Sequence, residues 1–109
     1  MLNKTKSCMN SSKNVQLVLN LFENDKIFLI NGISLYQISK IIGITLEELE
    51  KIFEEDIEIS FDEMLKLWRL TYARNILLTY KCSSKYIWEI VGFSSYKEFI
   101  TAWDALFFN

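Results

Sequence analysis

Eight side chains fall into two groups whose types suit contact with a polyanion and its bases. Glu47, Glu48 and Lys51 form one group, and Lys85, Ser95, Tyr96, Lys97 and Thr101 form the other. A lysine neutralises phosphate and releases its counterions. Serine, threonine and tyrosine hydroxyls donate to phosphate oxygens or base edges. A carboxylate accepts from the amino group of cytosine. Covalent and metal chemistry have much less to work with. The chain has no histidine, so the commonest general base and metal ligand is absent. Cys82 has Lys81 and Lys85 near it in sequence, and positive charge favours a thiolate, but no histidine stands by to complete a nucleophilic pair. No glycine-rich phosphate loop exists. No enzyme, cofactor or metal site is expected, and no small-molecule ligand is evident.

The elements that must position these groups come as two variants of one pattern. The first reads Ile38, Ile41, Ile42, Gly43, Ile44, Thr45, then Leu49 and Phe53. The second reads Ile87, Ile90, Val91, Gly92, Phe93, Ser94, then Phe99 and Trp103. The glycines are 49 residues apart and the later apolar positions 50 apart, so the second copy has one extra residue after its glycine. Each copy is a short apolar helix, a glycine at its end, and a Ser/Thr start to a second amphipathic helix. That is the shape of a helix-turn-helix. Two on one chain suit a protein that sets helices into successive grooves of DNA.

Four helix starts carry capping boxes: Ser34/Gln37, Thr45/Glu48, Ser60/Glu63 and Ser95/Glu98. In each, a hydroxyl takes the N3 amide while the N3 side chain reaches back. The third box opens the longest helix, over 61–79, with apolar positions 61, 64, 65, 68, 72, 73, 76 and 77. At about 1.5 Å per residue it is about 27 Å long, close to the roughly 34 Å of one DNA turn. A first helix runs from Val15 to Phe22, on the spacing of 15, 18, 19 and 22. Between Glu23 and Gly32 the apolar patch Ile27–Ile30 is either a tucked loop or a continuation of that helix. Residues 1–14 are polar, with Lys4, Lys6 and Lys13, and are expected to be a disordered tail.

At 109 residues, half of them apolar and none of them proline, the chain suits one largely helical domain. The two cysteines, Cys8 and Cys82, make no disulfide framework, which fits a reduced cytoplasmic protein. The run Ile27–Ile30 is far too short to span a membrane. Lys4 and Lys6 are followed by no apolar stretch, so no signal peptide is expected.

From Val15 to Asn109 the chain resembles the DNA-binding domain of the AraC/XylS family of bacterial transcription regulators. The residues that carry the likeness are Arg69-Leu70, Ala73 and Ile76-Leu77 in the middle helix, and Gly92-Phe93-Ser94-Ser95 with Phe99 and Trp103. Leu49, Lys51-Ile52-Phe53 and Ser60-Phe61 add to it. The resemblance implies an all-α fold of about seven helices, with a first helix-turn-helix over 34–56, a linker helix over 61–79 and a second helix-turn-helix over 83–108. It implies binding to promoter DNA, and likeness to the short members without a ligand-sensing domain.

The departures are specific. The family usually has a basic residue after the last aromatic of each recognition helix, where this chain has Glu54 and Asp104. The basic residue two places before that aromatic is kept as Lys51 but is Thr101 in the second copy. The glycine before the linker helix is Glu58. Trp88 replaces a small alanine in a tight crossing, so either the helices move apart or the ring turns outward. The family's closing Gly-x-x-Pro is absent.

Charge separates the two copies. From Ser34 to Asp56 there are two lysines and six acids, and from Lys81 to Asp104 three of each. A net −4 face is repelled by DNA unless its carboxylates meet cytosine amino groups. The second copy is therefore the expected DNA reader, with Tyr96 and Lys97 near a helix start. The alternative is a protein-interaction module that has lost DNA binding and meets RNA polymerase or another regulator through the acidic helix.

Overall fold

A computed structural model describes residues 2–80 and 84–108, with the backbone alone for 2–12 and Ser84. Every regular element among the described residues is helical. In order they are α1 (Leu2–Glu23), a 3₁₀ turn (Ile27–Leu29), α2 (Leu35–Ile42), α3 (Leu46–Lys51), a π turn (Ile52–Ile57), α4 (Phe61–Tyr80), α5 (Ser84–Ile90) and α6 (Tyr96–Phe107). There are thus six α-helices among the described residues rather than about seven. The first begins at Leu2, where a disordered tail through residue 14 was expected. No glycine or proline lies in 2–23, so nothing there stops a helix running back from Val15. Lys81 and Cys82 lie outside the described residues, as do the side chains of Lys4, Lys6 and Cys8.

The chain divides into two units. The first holds the residues up to Lys26 and Ile33–Phe61. Its core takes Val18 and Phe22 from α1, Ile38 from α2, Leu49 from α3, and Ile52 and Phe53 from the π turn. Phe61 closes it, with ring centroids 6.4 Å from Phe22 and 5.7 Å from Phe53, both edge-on. Fully burying a side chain such as Phe22 contributes about 1.5–3 kcal/mol. Ser39 is buried on α2, and its hydroxyl is satisfied by donating to the Tyr36 carbonyl at 2.7 Å.

The second unit holds Ile27–Gly32 and the chain from Asp62 on. Leu70, Ala73, Ile87, Val91, Phe93 and Phe99 form its centre. The patch Ile27–Ile30, left open between loop and helix, is a 3₁₀ turn with Ile27 and Phe28 buried. It belongs to this second unit, although in sequence it lies between the first two helices of the other. Phe28 stacks near Trp68 and Tyr72, each 5.7 Å away between centroids. Arg69 fastens it. Its Nε donates to the Phe28 carbonyl at 2.6 Å and a terminal nitrogen donates to the Ile30 carbonyl at 3.1 Å.

The repeat is visible residue by residue. Ile38 and Ile87 are buried, Ile41 and Ile90 are 57% and 56% exposed, and Leu49 and Phe99 are buried. Gly43 and Gly92 both take the left-handed conformation, at φ 76° and 100°. In each copy the residue after the glycine donates to the carbonyl five places before its own position: Ile44 to Ser39 at 3.1 Å, Phe93 to Trp88 at 2.9 Å. That bond ends a helix at a left-handed residue. The extra residue of the second copy sits before the cap, which is Thr45 in the first and Ser95 in the second.

The two glycines differ in what surrounds them. A Cβ on Gly43 would meet nothing within 4 Å, whereas one on Gly92 would stand 2.7 Å from the Phe28 carbonyl and 2.9 Å from both Leu29 O and Arg69 Nε. Gly43→Ala is expected to cost only the left-handed strain, about 1–2 kcal/mol. Gly92→Ala adds overpacking of about 1–3 kcal/mol. Urea unfolding followed by circular dichroism compares them, and equal costs would show that the 27–30 segment does not press on this turn.

Candidate nucleic-acid interface

In the first unit the candidate residues share one short helix. Glu47, Glu48 and Lys51 are all exposed on α3, as are Glu50 beside them and Glu54, Glu55 and Asp56 in the π turn. Glu48 is committed to the helix start. Its carboxylate accepts the Thr45 amide at 3.0 Å while the Thr45 hydroxyl accepts the Glu48 amide at 3.1 Å. The Thr45 backbone amide, and then its hydroxyl, hold the Glu48 carboxyl below the ordinary glutamate range. The stabilisation from the Glu48 carboxylate is therefore present above the ordinary carboxylate pKa near 4.5 and is lost as pH falls through the lower folded value, while the bond to the Thr45 hydroxyl does not titrate.

The second-unit candidates gather around the start of α6. Ser95 caps that helix, its hydroxyl accepting the Glu98 amide at 3.1 Å. The reciprocal bond differs from the expected box, because the Glu98 carboxylate takes the Ser94 amide, at 3.4 Å, rather than that of Ser95. Tyr96 is 47% exposed and its ring lies 6.4 Å from that of Phe99. Lys97 and Thr101 are exposed, and four residues apart they share a helix face. Lys85 is exposed on α5, with its ammonium 5.7 Å from the centre of the Tyr86 ring.

Two residues that the motifs did not single out as site residues set the α5–α6 turn. Asn31 donates to the Gly92 carbonyl at 3.0 Å and to the Ser94 hydroxyl at 2.9 Å. Arg69 lies 5.6 Å from the Phe93 ring centre, over its face. Burial lowers the Arg69 pKa, and the charges of Glu98 and Asp62 oppose that shift; an arginine remains charged regardless. The turn that aims α6 is thus held from outside its own helices.

Trp88 answers the question that its bulk raised. It is half-buried, packed against the central cluster of the second unit, and lines an open cleft with Lys85, Tyr86 and Tyr96. The ring turns partly outward. Trp68 and Trp103, apolar positions of the long helix and of the repeat, are also half-buried, and Trp103 stacks 5.6 Å from Phe99 and 4.4 Å from Phe107.

Among the described residues no helix is long and apolar enough to cross a membrane, and no group of three metal-ligating side chains forms. Comparison with family models, with curated proteins and with solved structures finds no match to this chain.

Half-burial sets an expectation for Trp88→Ala. Full burial of such a ring would make truncation cost about 3–5 kcal/mol, so about 1–3 kcal/mol is expected here. Thermal unfolding measures it, and a loss at the upper end of the larger range would place the ring wholly inside the core.

Proposed function

We propose that this chain is a sequence-specific, DNA-binding transcription regulator of the AraC type, in which the second unit makes most of the contact with the duplex. The observation that carries this reading is the α5–Gly92–α6 arrangement. A capped helix begins off a left-handed turn braced by Asn31 and Gly92's neighbours, and exposes Ser95, Tyr96, Lys97 and Thr101 at or near its start. Helix N-termini in this setting supply base contacts, and hydroxyls and a lysine there can position the backbone.

The AraC likeness draws support from a detail of the backbone. Glu58 stands where the family has glycine before the linker helix, and it takes a left-handed φ of 68°. A glutamate is rarely found in that conformation, so the chain keeps the turn that a glycine favours while having lost the glycine. The first copy's turn at Gly43 and its capped α3 match the same plan. In this reading α2–α3 and α5–α6 are the two helix-turn-helix units and α4 is the linker.

A second reading is favoured by the exposed carboxylates of α3 and the π turn. With Glu47, Glu50, Glu54, Glu55 and Asp56 all facing solvent, the first unit suits a protein partner better than phosphate. On this view the chain is an interaction module that contacts another regulator or RNA polymerase. The two readings differ in what happens at low salt, where nonspecific DNA binding is strongest.

Fluorescence anisotropy with a random duplex across a salt series distinguishes them. Lys97→Ala and Lys85→Ala should each weaken binding and flatten the salt slope by about 1. Glu54→Lys should strengthen nonspecific binding, since attraction replaces repulsion near the backbone. Absence of binding by the wild type at low salt would remove the regulator reading and leave the acidic face as the working surface.

A further inference from the structure

One segment of the second unit is not contiguous with the rest of it in sequence. Residues 27–32 leave the chain of the first unit after Lys26 and return to it at Ile33. The segment is bracketed by two left-handed residues, Lys26 at φ 51° and Gly32 at φ 80°. A residue other than glycine is uncommon in that conformation, and it persists where the surrounding structure holds it. Between the two turns the segment is anchored along its length. Ile27 and Phe28 are buried. The Phe28 and Ile30 carbonyls accept from Arg69, and Asn31 donates to the Gly92 carbonyl and the Ser94 hydroxyl.

The other side of these contacts is the α5–α6 turn. A Cβ on Gly92 would stand 2.7 Å from the Phe28 carbonyl oxygen and 2.9 Å from that of Leu29, so the two backbones meet directly. The turn has short-range bonds of its own, from the Gly92 amide to the Glu89 carbonyl at 3.2 Å and from the Phe93 amide to the Trp88 carbonyl at 2.9 Å. A short turn held by such bonds opens easily unless other chain packs on it. Here the 27–32 segment supplies that packing.

We infer that residues 27–32 act as a latch, hinged at Lys26 and Gly32, whose docking sets how firmly the α5–α6 turn and the start of α6 are held. When the latch is docked, the Gly92–Ser94 backbone is closed. When it leaves, that backbone opens with it. Hinges are a few positions that absorb a change of φ and ψ. Both of these adjoin chain of the first unit, so a backbone change at either one reaches α6 by covalent continuity. The latch stands on contacts within the second unit, and it holds whether or not the protein binds DNA.

Amide hydrogen exchange in the full chain, followed residue by residue by nuclear magnetic resonance, tests this. Two amides report. Ile30 donates to the Ile27 carbonyl within the latch, and Phe93 donates to the Trp88 carbonyl within the turn. Gly32 and Gly43 form a matched pair. Both are left-handed, at φ 80° and 76°, and a Cβ on either would meet nothing within 4 Å. Alanine at each position therefore adds backbone strain without a collision, enough to raise an open population about tenfold. Gly32→Ala should speed exchange at Ile30 and Phe93 alike, by about tenfold. Gly43→Ala should leave both close to the wild-type rate. Lys26→Gly relieves strain of the same kind and should slow both, by about threefold. Because that variant favours the docked state, it decides the matter should Gly32→Ala fail to fold. A Phe93 rate unchanged in Gly32→Ala, or in Lys26→Gly, would show that the turn opens without the latch and would overturn the inference. Equal acceleration of Phe93 by Gly43→Ala would overturn it as well, because exchange there would then follow unfolding of the whole chain.

Discussion

The second unit depends on one buried cation. The Arg69 guanidinium lies inside, 7% exposed, and joins three pieces of chain that are distant in sequence. It rises from α4, donates to two carbonyls of the 27–30 segment, and covers the face of Phe93 just after the Gly92 turn. A hydrogen bond to a charged group contributes about 1.5–3 kcal/mol, and two such bonds offset the cost of taking the guanidinium out of water. A lysine has a single nitrogen and no planar fork, so it would not span both carbonyls while stacking on a ring. No buried polar side-chain atom among the described residues lacks a partner, which is the condition under which a buried charge organises a core rather than weakening it.

From that point the rest of the site follows. Because Arg69 holds the 27–30 segment in place, Asn31 reaches the Gly92 carbonyl and the Ser94 hydroxyl. Because the segment lies so close, only glycine fits at position 92. The turn then fixes where α6 begins, and so where Ser95, Tyr96 and Lys97 stand. The first unit has no such brace at Gly43, whose surroundings are open. The two copies share a local plan but differ in how closely the turn is packed and in charge.

Much of this was legible from local patterns. The repeat, both left-handed glycines, the extra residue before the second cap and the hydroxyl caps at Ser34, Thr45 and Ser95 are properties of a few neighbouring residues. The left-handed conformation at Glu58 had no signal of its own, since nothing about a glutamate announces a positive φ. What the pattern could not reach was non-local. Asn31 and Gly92 are 61 residues apart, and no periodicity links them. Arg69 looked like one basic residue in a motif until the segment that buries it was in view. Trp88 was legible as a misfit but not as the wall of a cleft, because that needs Tyr86 and Tyr96 placed around it. The helical start of α1 and the π turn after α3 had no distinct signal.

The central claim is that α6 and its turn, not the acidic α3, face DNA. The most direct test is a map of backbone amide shifts in the full chain on adding a random duplex at low salt. The account predicts shifts concentrated at Lys85 and from Ser94 to Thr101, with residues 47–56 little changed. Shifts concentrated in 47–56, or none anywhere, would contradict it.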